Sequence, residues 1–351
     1  MSDPAGDQPR SPEPVTPEEG VGSAERTRSS RRAEAAPESA AFQAHVRAAR
    51  AEFENQVAHA RGQFDEANER LKERTGRDLI VAIVIGLAIG AVVVASLIFV
   101  KAVFAVFALA VAVLGTFELS RALQVSGRRI DLVPQLAFVP VLVAAGFFLD
   151  LWALWVLVFV DVAVVVVWRL LGQMSARDGR LYGDVLADVL IGAFVQLYVP
   201  FLAGLAMVLL RQEGGEWWVL AFLIVAVASD TGAYATGLAI GRTPMAPRIS
   251  PKKTWEGFGG AFAAALIAGV LLAWLMLGLP WWTGLILGAV ILGTATAGDL
   301  GESMLKRDLG IKDMSSWLPG HGGVLDRLDS ILPSAPAALA LFLLLSPLGA
   351  A

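Results

Sequence analysis

From Leu79 onward the chain is a succession of apolar runs separated by short polar stretches. Nine runs stand out, at roughly 79–100, 102–119, 132–149, 151–171, 185–210, 217–240, 258–279, 281–300 and 331–350. Most lie near the ~20 residues that a helix needs to cross a bilayer. Within lipid each must be a helix, because only helices and closed barrels satisfy all their own backbone polar groups without water. Around Lys101, Asp150 and Pro280 the polar interval shrinks to a residue or two, so the expected connections there are very short.

The segment before these runs has a different character. Residues 1–38 are rich in Pro, Glu, Ser and Arg and nearly devoid of large apolar side chains. Burial there cannot offset the entropy of ordering, which predicts a disordered tail, placed on the cytoplasmic side. Over 39–77, Phe42, Val46, Phe53, Val57, Phe64 and Leu71 recur at spacings of four and seven. That period predicts an amphipathic helix with one narrow apolar stripe, lying on the membrane or pairing with a copy of itself. No basic-then-apolar secretory start is visible in this part. Residues 78–351 form the expected membrane domain.

Composition sharpens this picture. The chain of 351 residues is 56% hydrophobic and 17% charged, more apolar than a soluble core of this size accommodates. A net charge of −4 argues against a nucleic-acid partner. The absence of cysteine excludes disulfides, thiolate metal sites and cysteine catalysis. With the amino terminus inside, fourteen Lys and Arg residues fall in the inner loops, from Arg121 to Arg327, against Lys101 and Arg211 outside. Such a bias fixes an orientation and supports the number of spans. The expected fold is therefore all-α: a polytopic integral membrane protein with about nine transmembrane helices and a cytosol-facing polar cavity. Asp161, in the middle of the fourth run, calls for a partner on a neighbouring helix or from Arg169.

Two inner stretches carry most of the remaining polar variety. The first holds Ser229-Asp230-Thr231-Gly232-Ala233-Tyr234 and then Ser250-Pro251-Lys252-Lys253-Thr254-Trp255-Glu256-Gly257. The second runs from Gly298-Asp299-Leu300-Gly301-Glu302-Ser303 through Lys306-Arg307 and Lys312-Asp313 to Pro319-Gly320-His321-Gly322-Gly323-Val324-Leu325-Asp326-Arg327-Leu328-Asp329. Both are expected as loops at helix ends. A carboxylate at bilayer depth costs roughly 2.5–3.5 kcal/mol even on the lenient insertion scale, so Asp230 and Asp299 should face a polar cavity. Clustered acids without cysteine favour a hard cation with oxygen ligands, Mg²⁺ first; pairing with neighbouring Lys and Arg is the other account of them. Interleaved Lys and Arg suit phosphate, and glycines around His321 would let backbone N–H groups approach an anion.

These residues resemble the CDP-diacylglycerol synthases, also called phosphatidate cytidylyltransferases. The resemblance rests on Ser303-x-Leu305-Lys306-Arg307, Lys312-Asp313 and Leu318-Pro319-x-His321-Gly322-Gly323-Val324-x-Asp326-Arg327-Leu328-Asp329, with the SDTGAY and ISPKKTWEG blocks upstream. It covers about residues 79–351. Departures are Ala235, where an aromatic residue is usual, and the turn Met314-Ser315-Ser316; neither is expected to touch a presumed ligand. The resemblance implies Asp299 and Asp326 as metal ligands for Mg²⁺ and leaves a second, monovalent cation open. Asp230, Lys253, Lys306, Arg307, His321, Arg327 and Asp329 are the expected catalytic group. Ser229, Ser250, Lys252, Ser303, Lys312, Gly322 and Gly323 are expected to bind substrate.

What the resemblance implies chemically is attack by the phosphate of phosphatidic acid on the α-phosphorus of CTP, with pyrophosphate leaving. The expected partners are these two substrates and the bilayer, with a homodimer left open. The expected location is the plasma membrane, with active site and amino terminus cytoplasmic. A CTP-using kinase of a lipid alcohol is the rival in the same class. A secondary transporter would be expected to show internal repeats with broken helices, and no convincing repeat is seen. A purely structural membrane protein would leave the terminal signature without a purpose.

Overall fold

A computed structural model describes residues 79–176, 179–315 and 322–350 of the chain. All of them belong to one compact unit, Gly76–Ala351. The expected tail and amphipathic helix lie outside the described residues.

The described chain is almost entirely helical. In order come α1 (Leu79–Phe99), α2 (Lys101–Val125), α3 (Leu132–Phe148), α4 (Leu151–Ser175) and α5 (Tyr182–Gln196). A π-helical turn over Leu197–Phe201 leads into α6 (Leu202–Arg211). Next are α7 (Gly215–Ile240), strands β1 (Pro244–Ala246) and β2 (Ser250–Thr254), α8 (Trp255–Leu275), α9 (Trp281–Asp308), α10 (Leu325–Leu328) and α11 (Ile331–Leu345). A 3₁₀ turn over Ser346–Ala350 comes last.

Seven segments among the described residues are long and apolar enough to span a bilayer, with α5, the π turn and α6 counting as one. The 17-residue α3 and the Gly90–Phe99 part of α1 are shorter apolar helices. Together they make the all-α membrane architecture that the apolar runs predict. Large apolar side chains such as Phe99, Trp152, Phe159 and Ile267 are exposed on its outside, as a lipid-facing surface requires.

The short connections have clear causes. Asp150 caps α4 by accepting the Ala153 N–H at 2.8 Å, which lets α3 and α4 meet with almost no linker. The polar turn after α9 is closed by Gly310 at φ +71, with Gly310 N–H donating to the Arg307 carbonyl and Ile311 N–H to the Lys306 carbonyl. Lys101, at the start of α2, pairs with Glu216 at 2.6 Å at the start of α7, joining the two predicted outer connections at one end.

Three expectations need correction. The SDTGAY block and the Gly298–Arg307 block are not loops: α7 continues to Ile240 and α9 to Asp308. Their backbone groups must be paired wherever they leave water, and continuing the helix does this while turning the polar side chains toward a cavity. The connection after α7 is also not irregular. It forms a two-stranded antiparallel hairpin with Pro244 opposite Thr254 and Ala246 opposite Ser250. Finally, Arg169 does not serve Asp161. It pairs with Asp188 at 2.8 Å, which Arg180 also holds at 2.6 Å. Both carboxylate oxygens of the buried Asp161 have no hydrogen-bond partner among the described residues.

Small residues set the closest helix contacts. A β-carbon at Gly269 or Gly288 would run into the facing backbone of α9 or α8, so these two helices pack nearly backbone to backbone. Helices α7, α8 and α9 thereby form a tight group whose polar ends converge, which brings the two polar blocks together.

Candidate active site

The converging ends enclose a cavity of about 410 Å³. Helix α7 contributes Ser229, Asp230 and Tyr234; the hairpin contributes Lys252 and Lys253; α9 contributes Thr296 and Asp299. The segment around α10 closes it with Asp326, Arg327, Asp329 and Ser330. Phe258, Ala261 and Leu292 give the same cavity an apolar side. Eight of the predicted site residues thus share one space, although they come from segments up to 100 residues apart.

The hairpin explains how the lysines arrive. Thr254 caps α8 by accepting the Gly257 N–H at 3.1 Å, and the Glu256 carboxylate accepts the N–H groups of Arg242 and Thr243, each at 3.1 Å. These ties fold the strand pair back over the end of α7. Lys253 then reaches Asp299 on α9 in a short ion pair. Arg307, further along α9, donates from Nε to the Ile249 carbonyl at 3.1 Å and holds the other end of the hairpin.

Asp326 is the most heavily bonded acid in this group. It accepts from Lys306 Nζ at 3.0 Å, from Met314 N–H at 3.1 Å and from Gly323 N–H at 2.7 Å. The expectation that the Met314 turn stays clear of the presumed ligands is therefore overturned: its backbone N–H is one of the donors. Gly322, at φ +80, is required here twice over. Its backbone is left-handed, and a β-carbon would stand 2.9 Å from Asp326 Oδ2. Gly298 allows the opposite wall to close, since a β-carbon there would strike the Asp329 carbonyl oxygen.

Asp329 and Asp230 meet at Ser330. The Ser330 hydroxyl lies 3.0 Å from Asp329 Oδ1 and 3.4 Å from Asp230 Oδ2, and its N–H donates to Asp329 at 2.7 Å. Behind them Glu302 is buried, 3.2 Å from Lys306, and both its carboxylate oxygens lack a hydrogen bond among the described residues.

Not every predicted residue lines the cavity. Lys306 and Gly323 bond Asp326, Gly322 lies against it, and Arg307 is exposed and bonds the hairpin, while Ser250 begins β2, Ser303 is on α9 and Lys312 is exposed on the loop after α9. His321 lies outside the described residues. Conversely, the motif reading assigned no role to Glu302, Ser330, Tyr198 or Glu118. Glu302 and Glu118 could have been found as acids next to apolar sequence, a costly placement that demands a reason. Tyr198 could not, because nothing in the sequence marks the π turn on which its buried hydroxyl lies.

The donor set suits a hard cation. Asp230, Asp299, Asp326 and Asp329 line one space, backed by the buried Glu302 carboxylate beside Lys306, and hard oxygen ligands are what Mg²⁺ takes. Among the described residues no three acids converge closely enough to hold a metal by themselves.

The family model described as the Cytidylyltransferase family matches residues 80–345. The phosphatidate cytidylyltransferase of Mycobacterium bovis is 40% identical over 278 residues, covering 76% of this chain and 88% of the relative. That of Mycobacterium leprae is 38% identical over 288 residues, covering 78% and 90%. That of a Synechocystis species is 47% identical over 131 residues, covering 37% and 44%. With a family match that takes in nearly every described helix and relatives about 40% identical over most of both chains, this chain belongs to the cytidylyltransferase family.

Proposed function

We propose that this chain is a phosphatidate cytidylyltransferase, converting CTP and phosphatidic acid to CDP-diacylglycerol and pyrophosphate at the cytoplasmic face of the plasma membrane. The observation that carries the reading is the cavity itself, where four carboxylates stand with Lys252, Lys253 and Arg327 beside an apolar wall. A phosphate-rich nucleotide and a phospholipid need such a mixture of charges next to lipid, and the relatives named above bear this activity in their names.

The reaction joins two polyanions. The phosphate monoester of phosphatidic acid is anionic near neutral pH, so it attacks the α-phosphorus without a strong general base. The P–O bond to the β-phosphate breaks, and its electron pair leaves with pyrophosphate. The protein's task is to hold both partners in line and neutralise charge. At ~4 Å and an effective dielectric near 20, one unit-charge contact is worth on the order of 4 kcal/mol before desolvation. Lys252, Lys253 and Arg327 are placed to bind phosphate oxygens, and Lys253 also orients Asp299. Mg²⁺, when bound through Asp299 and Asp326, supplies Lewis-acid neutralisation of the triphosphate. Ser330 fixes Asp230 and Asp329 relative to one another.

The test is turnover by purified protein in detergent with CTP, Mg²⁺ and phosphatidic acid, following pyrophosphate and the CDP-lipid. Equimolar release of both is expected, together with a loss of about two orders of magnitude in kcat for Asp299→Asn, as for loss of a group that stabilises transition-state charge. A phosphorylated lipid alcohol with CDP as co-product would assign the rival kinase activity instead.

A further inference from the structure

One acid far from the motif grips the loop that carries Asp326. Glu118 sits late in α2, 3% exposed, on a helix long and apolar enough to span the membrane. Its carboxylate accepts the Ser315 hydroxyl at 2.5 Å, the Val324 N–H at 3.1 Å and the Leu325 N–H at 2.9 Å. The separations in sequence are 197, 206 and 207 residues, so this is a tertiary tie and not a local cap.

The same two strips of chain are held from the other side by Asp326, through Met314 N–H and Gly323 N–H. Gly323 lies between the two acids: a β-carbon there would stand 2.8 Å from Glu118 Oε2 and 3.1 Å from Asp326 Oδ2. Helix α2 supports the contact by bringing Gly115, one turn before Glu118, close to the side chains of Leu325 and Leu328. Among the described residues, the hydrogen bonds to Glu118 come from neutral donors on these strips, and none of those donors lines the cavity.

Burying a carboxylate among neutral donors is expensive, and a helix–loop contact could be made with apolar side chains at no such cost. What the carboxylate adds is a fixed direction for three donors at once. From this we infer that Glu118 is a positioning residue for the reaction: it fixes the turn 322–325 so that Asp326 and Arg327 face the cavity. The inference rests on the proposed activity for its kinetic readout, though the tie itself does not depend on it.

The experiment compares wild type, Glu118→Gln, Ser315→Ala and the double variant in detergent, with turnover and amide hydrogen exchange measured on the same samples. Gln keeps the shape but turns one acceptor into an N–H₂, leaving at least one loop donor without a partner. A reacting group displaced by about 1 Å can cost on the order of 100-fold, so kcat should fall toward that while KM for CTP stays within about threefold. Exchange at Val324 and Leu325 should accelerate, with the exchange of α2 to α9 unchanged. The two single effects should be non-multiplicative, because both remove parts of one tie. If Glu118→Gln does not fold, Ser315→Ala alone must still lower kcat with KM for CTP held and speed exchange at Val324. Wild-type kcat in a folded Glu118→Gln, or strictly multiplicative single effects, overturns the inference. A wild-type protein that turns over no phosphatidic acid overturns the proposed activity instead, and the exchange data then judge the tie by itself.

Discussion

Lys306 and Asp326, twenty residues apart in the chain, meet at 3.0 Å, and Glu302 one turn back on α9 lies 3.2 Å from the same ammonium. A single lysine thus stands between two acids that belong to separate elements. All three side chains are mostly withdrawn from solvent. In such a place the attraction is strong and so is the cost of leaving any one of them alone.

Replacing Lys306 with Met should therefore destabilise the fold by about 3–5 kcal/mol, the usual cost of stranding a buried charge. Adding Glu302→Gln to that variant removes one of the stranded acids and should recover part of the loss. Thermal melts of the two variants in the same detergent decide the matter. A Lys306→Met protein that melts with wild type would show that the triad carries no stability.

Two glycines separate backbone strain from damage to the site. Gly310 and Gly322 both have positive φ, but a β-carbon meets nothing within 4 Å at Gly310 and lies 2.9 Å from Asp326 Oδ2 at Gly322. Alanine at either position should cost about 1–2 kcal/mol of backbone strain. Only Gly322→Ala should also lower kcat, by at least about tenfold, because it pushes on a group that must stay in place. Equal kinetic effects in the two variants would dissociate Gly322 from the chemistry.

Sidedness can be measured with single cysteines, because the chain has none of its own. Ser126 and Pro247 are exposed at the end that carries the cavity, and Glu213 is exposed at the other, beside the Lys101–Glu216 pair. Cysteine at Ser126 or Pro247 should resist an impermeant thiol reagent in intact cells and react after permeabilisation. Cysteine at Glu213 should react from outside. The opposite pattern would put the cavity away from cytosolic CTP and end the proposed mechanism.

The sequence alone determined the class of fold and marked where polar residues would gather, each for a physical reason. Apolar runs of bilayer length leave helices as the only solution, and the surplus of Lys and Arg on alternate connections sets their expected direction. Acids and bases dense enough to be costly in lipid mark a polar centre, and Asp230, Asp299, Asp326 and Asp329 do share one cavity with Lys252, Lys253 and Arg327. What periodicity could not give was where the helices stop. Asp299 lies on α9, which outlasts its apolar run and continues to Asp308, because backbone pairing continues wherever a polar cavity receives the side chains. Nor could it give pairings over long separations. Glu118 with Val324, Lys253 with Asp299 and Lys306 with Asp326 depend on how α2, α9 and the hairpin stack. That stacking is decided by small residues such as Gly269, Gly288 and Gly298, where the missing β-carbon lets two backbones touch. A glycine announces in the sequence that something comes close; only the tertiary structure decides what.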